Sequence, residues 1–308
     1  MSNSLNRRDF MRNTLGVSTL AAIGTATGAE PSAPPAAVKD LPQGKLGKLS
    51  VSRLIFGGNL MSGIGHGRDL LYVTDFLKKY FTEAKVYETW ELCEANGINT
   101  LLLRPEEPIL GWLKNYRSKQ GGKCQWIAQA VLTEANLNTE IQKAADAGAA
   151  GIVVDGEAAE ALLKAKKGAV LEKALELIRQ KGMVAGLGAH QIQTVMASEE
   201  AGWKPDVYLK TFNSKRYWSA TVEPRRDNIW DEKPSETANF MAEVNRPWIA
   251  CKVLGAGAIR PDQGFVYAFE SGADFLCVGM LDIQVGDDAR ILTQAYQKAR
   301  GRTRPWCG

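Results

Sequence analysis

Polar side chains that can carry out chemistry stand at the ends of short apolar runs in this chain. In sequence order they are Asn59, Arg104, Gln129, Asp155, His190, Lys210, Asn213 and Lys252. They come from seven different runs. If the runs are parallel strands of one sheet, their carboxyl ends meet at the same edge. We therefore expect these side chains to converge on one pocket.

Two of these residues are suited to proton transfer. His190 is one of only two histidines, and histidine is the side chain that changes its charge closest to neutral pH. Asp155 precedes Gly156 and can act as a base or bind a substrate hydroxyl. The alternatives are a structural or surface role for His190 and helix capping for Asp155.

The candidate catalytic set also contains three cationic residues. Lys252 lies inside a predicted buried strand, where a lysine needs a partner or a lowered pKa. It can hold an anion, act as a base or form a Schiff base, unless its side chain runs outward to solvent. Lys210 has the same ambiguity. Side chains alternate along a strand, so only one of Lys210 and Thr211 can point into the pocket. Arg104 completes the set.

Strand-like runs alternate with helical patterns from Gly44 onward. The predicted strands are residues 54–59, 100–104, 125–131, 151–155, 183–190, 206–213, 248–254 and 275–280. The predicted helices are residues 85–95, 109–119, 139–147, 158–180, 191–201, 236–245, 261–270 and 287–300, with an extra helix within 69–80 and a lead-in hairpin at 45–52. Eight such units predict an α/β fold with a single (β/α)8 TIM barrel rather than an open doubly wound sheet.

Glycine-rich turns follow the last two predicted strands. They contain Gly255, Ala256 and Gly257 after the seventh strand and Gly279 and Met280 after the eighth. In barrels these two turns often bind a phosphate or a cofactor phosphate, so we assign all five residues to cofactor binding. The alternative is a pair of tight turns without a ligand.

Two connections are unusually long, and they follow the first and sixth strands. The second, residues 214–235, carries aromatic rings that can stack on a sugar or a flat ligand. The predicted substrate-binding residues are Asn59, Gln129, Asn213, Tyr217, Trp218 and Trp230. The alternative is that this loop is a decoration of the barrel without a functional role.

The N-terminal segment resembles a twin-arginine export signal. Residues 6–12 read NRRDFMR, a mildly apolar stretch follows, and small residues end near Ala29. We expect a signal peptide at 1–29, a Pro/Ala-rich linker at 30–43, the barrel at 44–301 and a tail at 302–308, with export to the periplasm or another extracytoplasmic location. An ordinary basic N-terminus is the alternative.

Composition narrows the classes of partner. The formal net charge of +4 is too small to indicate nucleic acid binding, and no apolar run is long enough to span a bilayer. The five cysteines show no CxxC pair and no metal-ligand spacing, so we predict no transition-metal site, while carboxylate-bound Mg²⁺ stays open. Cys251 and Cys277 fall in predicted strands and read as small buried hydrophobes. The expected partner is a small-molecule substrate.

Four short segments, in the right order, resemble the aldo/keto reductase superfamily. They are residues 48–58 (KLSVSRLIFGG), 94–100 (EANGINT), 211–213 (TFN) and 254–257 (LGAG). The resemblance spans roughly residues 44–300. It implies a TIM barrel, carbonyl chemistry on a small molecule such as a sugar, and a bound nicotinamide cofactor, NADP.

The resemblance breaks at the residues that carry that family's chemistry. The family uses a tyrosine, a lysine, an aspartate and a histidine, whereas Leu102 stands where the aspartate belongs and Asp155 where the histidine belongs. Alanine or Gln129 replaces the lysine, and after the second predicted strand no tyrosine follows until Tyr116, which lies inside a predicted helix. Three functions follow: a reductase-like enzyme, a lyase, epimerase or isomerase without redox chemistry, and a non-catalytic ligand-binding barrel.

Overall fold

The computed structural model describes residues 37–38, 40–65, 70, 72–217, 220 and 231–308. The predicted export signal, most of the predicted linker, and two predicted substrate-binding residues, Trp218 and Trp230, lie outside the described residues.

Eight parallel strands close into a barrel, as the sequence predicts. In chain order they are β3 (Leu54–Gly57), β4 (Thr100–Leu103), β5 (Gln125–Ala130), β6 (Gly151–Val154), β7 (Val184–Ala189), β8 (Val207–Thr211), β9 (Trp248–Cys251) and β10 (Phe275–Val278). Each strand pairs with the next in the chain, and β10 pairs with β3, where Leu276 is opposite Leu54. The closed sheet has no free edge to protect.

Alternation along the strands separates two hydrophobic cores. Side chains such as Ile127, Val153 and Ile249 fill the inside of the barrel, while Trp126, Ile152 and Trp248 belong to the core between the strands and the helices. Both faces of the sheet are therefore buried, and this explains why the strands read as continuous apolar runs.

Ten α-helices lie within the described residues, most of them between successive barrel strands. They are α1 (Val73–Tyr80), α2 (Glu83–Ala95), α3 (Ile109–Lys119), α4 (Leu137–Asp146), α5 (Gly156–Lys164), α6 (Gly168–Gln180), α7 (Ile192–Ala201), α8 (Pro234–Glu243), α9 (Pro261–Glu270) and α10 (Asp282–Lys298). None of these is long and apolar enough to cross a bilayer. The predicted single helix 158–180 is wrong: the chain breaks into α5 and α6, and Lys166 between them has a φ of 57°, a left-handed value that a helix cannot contain.

The N-terminal end of the barrel is closed by a hairpin and by the C-terminal segment. The hairpin strands β1 (Gln43–Leu46) and β2 (Leu49–Ser52) insert Leu46 and Val51 into the inner core. Leu41 is also buried, so the last residues of the predicted linker pack against the barrel.

A buried ion-pair cluster fixes the C-terminal segment at the same end. Asp274 accepts hydrogen bonds from Arg302 at 2.7 Å and from Arg304 at 2.9 Å. Arg53 donates to the backbone oxygen of Asp274 at 2.9 Å, and its guanidinium lies over the Trp306 ring. These contacts leave the opposite end of the barrel as the open one.

Candidate active site

A cavity of about 500 Å³ opens at the C-terminal ends of the barrel strands. Its polar lining consists of Asn59, Gln129, His190, Thr211, Lys252 and Gln284. A larger groove of about 1230 Å³ lies between α3 and α4 on the outside of the barrel. We place the site in the barrel cavity because side chains from many strands meet there, whereas the groove is an open surface between two helices.

Lys252 is the cation that lines this cavity. Its φ of 59° is left-handed, which ends β9 at Cys251 and gives the residue a strained conformation of the kind found at functional sites. Its ammonium forms no hydrogen bond or ion pair with any described residue, although the side chain is half-buried. Burial lowers the pKa of Lys252, against the opposing attraction of Cys251, Glu157, Asp155 and Glu160. A lysine in this state can act as a base or nucleophile.

His190 also lines the cavity, and Glu160 on α5 holds it. One carboxylate oxygen of Glu160 accepts from the backbone N–H groups of His190 and Gln191 at 2.7 and 2.8 Å. Its other oxygen lies 3.5 Å from His190 Nδ1. Burial works to raise the pKa of Glu160, but its bonds to His190 and Gln191 outweigh burial and the pKa is lowered. The carboxylate is thus placed to orient the imidazole and stabilise its cation.

A glycine makes room for this imidazole. A Cβ at Gly156 would lie 2.9 Å from His190 Cε1 and Nδ1, closer than real contacts allow. Gly156 is also the first residue of α5, the helix that carries Glu160. The start of one helix therefore supplies both the space for the ring and its carboxylate partner.

Lys210 does not line the cavity. Alternation along β8 points Leu209 and Thr211 inward, so Lys210 lies in the layer between barrel and helices, fully buried. Its ammonium donates to the backbone oxygens of His190 and Thr211 at 2.7 and 2.6 Å and lies 3.5 Å from Asp231. Burial lowers its pKa, and Asp231 opposes that shift. Lys210 is a positioning residue that ties β7 to β8 behind His190.

Asp155 caps a helix, which is the structural alternative that the sequence left open. Its Oδ1 accepts from the backbone N–H groups of Glu157 and Ala158, and its Oδ2 accepts from Gln129 at 2.9 Å. Arg104 approaches Oδ2 at 4.0 Å, and neither Arg104 nor Asp155 lines the cavity. The role of Asp155 is to hold Gln129, which does line it.

Of the predicted substrate-binding residues that the structure describes, some line the cavity and others hold the backbone around it. Asn59 lines the cavity, whereas Asn213 is buried and bonds the backbone of Lys252 and Lys215. Tyr217 packs on the turn after β9, since a Cβ at Gly255 would lie 2.9 Å from its ring. Asn213 and Tyr217 thus hold the turn that carries Lys252.

The predicted cofactor turn forms part of the rim. Three successive residues, Gly255, Ala256 and Gly257, have left-handed φ values of 53°, 56° and 82°. Ala256, Gly257 and Gly279 line the cavity, whereas Gly255 and the buried Met280 do not. The backbone N–H groups of Ala256 and Gly257 have no acceptor among the described residues. Together with Lys252 they suit one anionic group.

Cys251 and Cys277 belong to the inner core, as the sequence predicted, and both also line the cavity. Cys251 and Cys277 are register partners on β9 and β10, and the Cys251 sulfur lies 3.7 Å from the Thr211 hydroxyl. Burial raises the pKa of both thiols, so they are protonated at neutral pH. In the part of the chain that the structure describes, no three His, Cys, Asp or Glu side chains are grouped to hold a metal ion.

Sequence reasoning missed two groups of site residues. Glu160 lies one turn inside a helix, and no local motif marks it. Helix α1 contributes Val73, Phe76 and Leu77 to the cavity wall, and Tyr72, directly before the helix, lines it as well. Its only sequence signal was an extra helical pattern in the long connection after the first barrel strand.

The comparisons with known proteins agree with the barrel. No protein-family model and no curated protein matches the sequence. Among solved structures, a putative aldo-keto reductase from Pseudomonas aeruginosa is 15% identical, with a TM-score of 0.59 over 85% of this chain and 98% of that one. The holo form of an aldo-keto reductase from Bacillus halodurans is 11% identical, with a TM-score of 0.55 over 84% and 96%.

A third structure has a different activity. A truncated 3-deoxy-D-arabino-heptulosonate 7-phosphate synthase from Thermotoga maritima is 15% identical, with a TM-score of 0.53 over 83% of this chain and 92% of that one. At such identities the likeness shows the fold, a TIM barrel like that of the aldo-keto reductases, and leaves the chemistry to the site.

Proposed function

We propose that this barrel is an enzyme that acts on a small carbonyl compound through the amine of Lys252, in a lyase- or isomerase-type reaction. The observation that carries the proposal is a lysine that lines the cavity with a lowered pKa and without a partner among the described residues. A structural lysine is expected to be paired, as Lys210 is with Asp231.

The chemistry follows from the free amine. The nitrogen lone pair attacks the carbonyl carbon, and one proton passes from this nitrogen to the carbonyl oxygen, which becomes a hydroxyl. A second proton, from an acid, lets the hydroxyl leave as water, and a protonated imine remains on Lys252. That cation draws electrons from the neighbouring carbon, so a proton or a carbon–carbon bond at that position is released more easily. Hydrolysis of the imine then returns the amine and releases the product.

His190 and Glu160 support the proton transfers in this scheme. The imidazole lines the same cavity as Lys252, so it can deliver a proton to the departing hydroxyl and later accept one. Glu160 stabilises the protonated ring through the 3.5 Å approach to Nδ1. Lys210 fixes the backbone of His190 from behind.

Reduction of the imine with cyanoborohydride, which attaches the compound permanently to the lysine, tests the proposal. Purified protein is incubated with glyceraldehyde or pyruvate, reduced with cyanoborohydride, and analysed by peptide mass spectrometry. We expect modification at Lys252 and none at Lys210, the matched buried lysine that does not line the cavity. Binding of either compound without a trapped adduct would favour the non-catalytic binding barrel instead.

A second candidate is nicotinamide-dependent reduction with NADP. The unpaired N–H groups of Ala256 and Gly257 favour it, because they can bind a phosphate oxygen. The described cavity lining supplies only Lys252 as a further cation, so the residues fit one phosphate group better than a complete dinucleotide. A dissociation constant for NADPH below about 100 μM by fluorescence titration, together with oxidation of NADPH by a carbonyl compound, would favour this candidate.

We also propose export by the twin-arginine route, because Arg7 and Arg8 stand in a matching motif. Replacement of both by lysine should keep the protein in the cytoplasm when cell fractions are compared. Unchanged extracytoplasmic recovery would count against it.

A further inference from the structure

The α1 side of the cavity is lined by apolar side chains, whereas several polar groups of the lining come from the ends of the barrel strands. Helix α1 and the segment before it contribute Ile64, Tyr72, Val73, Phe76 and Leu77. The ends of the barrel strands carry the groups that react or form hydrogen bonds, His190, Thr211 and Lys252 among them, together with apolar residues such as Leu209 and Val253. A ligand that fills this cavity therefore meets hydrocarbon at α1 and polar groups at the strand ends.

Large apolar side chains of the α1 wall remain exposed to solvent. Tyr72 is 66% exposed and Phe76 52% exposed, although both line the cavity. Exposed aromatic rings at the mouth of a concave site are an unfavourable arrangement unless a ligand covers them. The rings thus offer an exposed apolar contact surface in the lining of the same cavity.

Helix α1 is fixed in this position by packing and by polar contacts. A Cβ at Gly65 would clash with the Leu77 side chain, so α1 packs tightly on Gly65. Its last residue, Tyr80, bonds Asp282 at the start of α10, and Lys85 bonds the same carboxylate at 3.0 Å. The apolar wall is thus a built part of the site.

From this division we infer that the carbonyl substrate carries an apolar chain or ring, which lies against α1 while its carbonyl carbon reaches Lys252. A free sugar, with hydroxyl groups on every side, would leave polar groups unpaired against Val73 and Phe76. The inference rests on the proposed role of Lys252 and adds the chemical class of the rest of the substrate.

The test is a series of aldehydes that share one reactive group and differ in the tail. Propanal, pentanal and heptanal are compared with glyceraldehyde by cyanoborohydride trapping at Lys252, quantified by peptide mass spectrometry. Each buried CH₂ should lower the half-saturating concentration about fourfold, and glyceraldehyde should need a higher concentration than propanal. Equal trapping of all four compounds would overturn the inference and leave the proposed function standing.

Variants of the wall sharpen the same test. Phe76→Ser should flatten the dependence on tail length, whereas Phe76→Leu should keep it. The matched control is Val131→Ser, which changes an exposed apolar side chain that does not line the cavity and should behave like the wild type. If Phe76→Ser keeps the full dependence, the tail does not lie on α1 and the inference fails.

Binding of 1-heptanol distinguishes a failure of the proposed function from a failure of the inference about the apolar tail, because the alcohol cannot form an imine. Calorimetry on the wild-type protein should show binding that Phe76→Ser weakens and Val131→Ser leaves unchanged. If no aldehyde is trapped but heptanol binds in this way, the proposed function fails and the apolar subsite stands. If heptanol does not bind, the inference is overturned whatever the trapping shows.

Discussion

Asp274 and Lys252, at opposite ends of the barrel, differ in how their charges are compensated. At the N-terminal end, Asp274 is fully buried and both of its carboxylate oxygens accept from arginines, Arg302 and Arg304. At the C-terminal end, Lys252 is half-buried and has no partner among the described residues. A paired buried charge holds a fold together, whereas an unpaired one costs free energy that only a ligand or a changed protonation state recovers.

The open end also has a strained backbone at the residues that line the cavity. The C-terminal segment at the closed end packs in contact with rings, with Arg302 3.5 Å from the Trp306 ring centroid. At the open end Lys252 and Ala256 both have left-handed φ values, which cost roughly 1–3 kcal/mol for a residue with a side chain. These two strained residues line the cavity that we assign to chemistry, whereas Lys166 and Lys204 have left-handed φ values in loops elsewhere.

Replacement of Lys252 is expected to give the largest effect. Lys252→Met should abolish imine trapping, because no other lysine amine lines the cavity among the described residues. Thermal stability should stay the same or rise, since a partly desolvated cation is removed. Lys210→Met, the control, should lose stability because it leaves Asp231 and two carbonyl oxygens unpaired. If the Lys210 variant were stable and the Lys252 variant unstable, the structural role would belong to Lys252 and the comparison would be wrong.

Replacement of His190 should give the second largest loss of activity. His190→Ala is expected to lower kcat by a factor of about 10²–10⁴, the usual loss on removing a positioned acid or base. Glu160→Gln should lower it less and shift the pH profile, because the ring keeps its place but loses a carboxylate partner. Rates within a few-fold of wild type for His190→Ala, at an unchanged melting temperature, would remove histidine from the mechanism.

Asp274 tests the closed end. Asp274→Asn should lower the free energy of unfolding by about 3–5 kcal/mol, because it leaves two buried guanidinium groups without their counter-charge. Urea titration measures the loss. Asp262→Asn, which breaks an exposed pair with Arg260, should cause no measurable change. Equal effects of the two substitutions would show that burial does not distinguish these pairs.

Asp288 on α10 should give an effect on stability that appears only as the pH rises. Burial and Asp287 raise the pKa of its carboxyl from 3.8 to about 7 in the folded state. Between these values the folded protein binds more protons than the unfolded chain, so stability should fall as pH rises from about 4 to about 7, by up to about 4 kcal/mol. Asp288→Asn should remove that part of the fall. Parallel stability curves for the two proteins would contradict it.

The sequence alone predicted the barrel well. Short apolar runs separated by helical patterns and glycines located all eight strands, and the predicted helices 109–119 and 261–270 coincide with α3 and α9. These features are local: burial on both faces removes alternation, and the turns need residues such as Gly202 with a left-handed φ of 69°. The long helix predicted at 158–180 failed because nothing local marks the left-handed turn at Lys166.

Which of the candidate residues belong to the site depended on the tertiary structure. Lys210 and Thr211 are adjacent in sequence, and only the orientation of β8 in the closed barrel turns Thr211 inward and Lys210 outward. Asp155 was a candidate base until the start of α5 gave it two backbone donors. Residue types along a strand indicate which chemistry is available there. Which face each residue occupies, and which partners neutralise its charge, depend on elements distant in sequence.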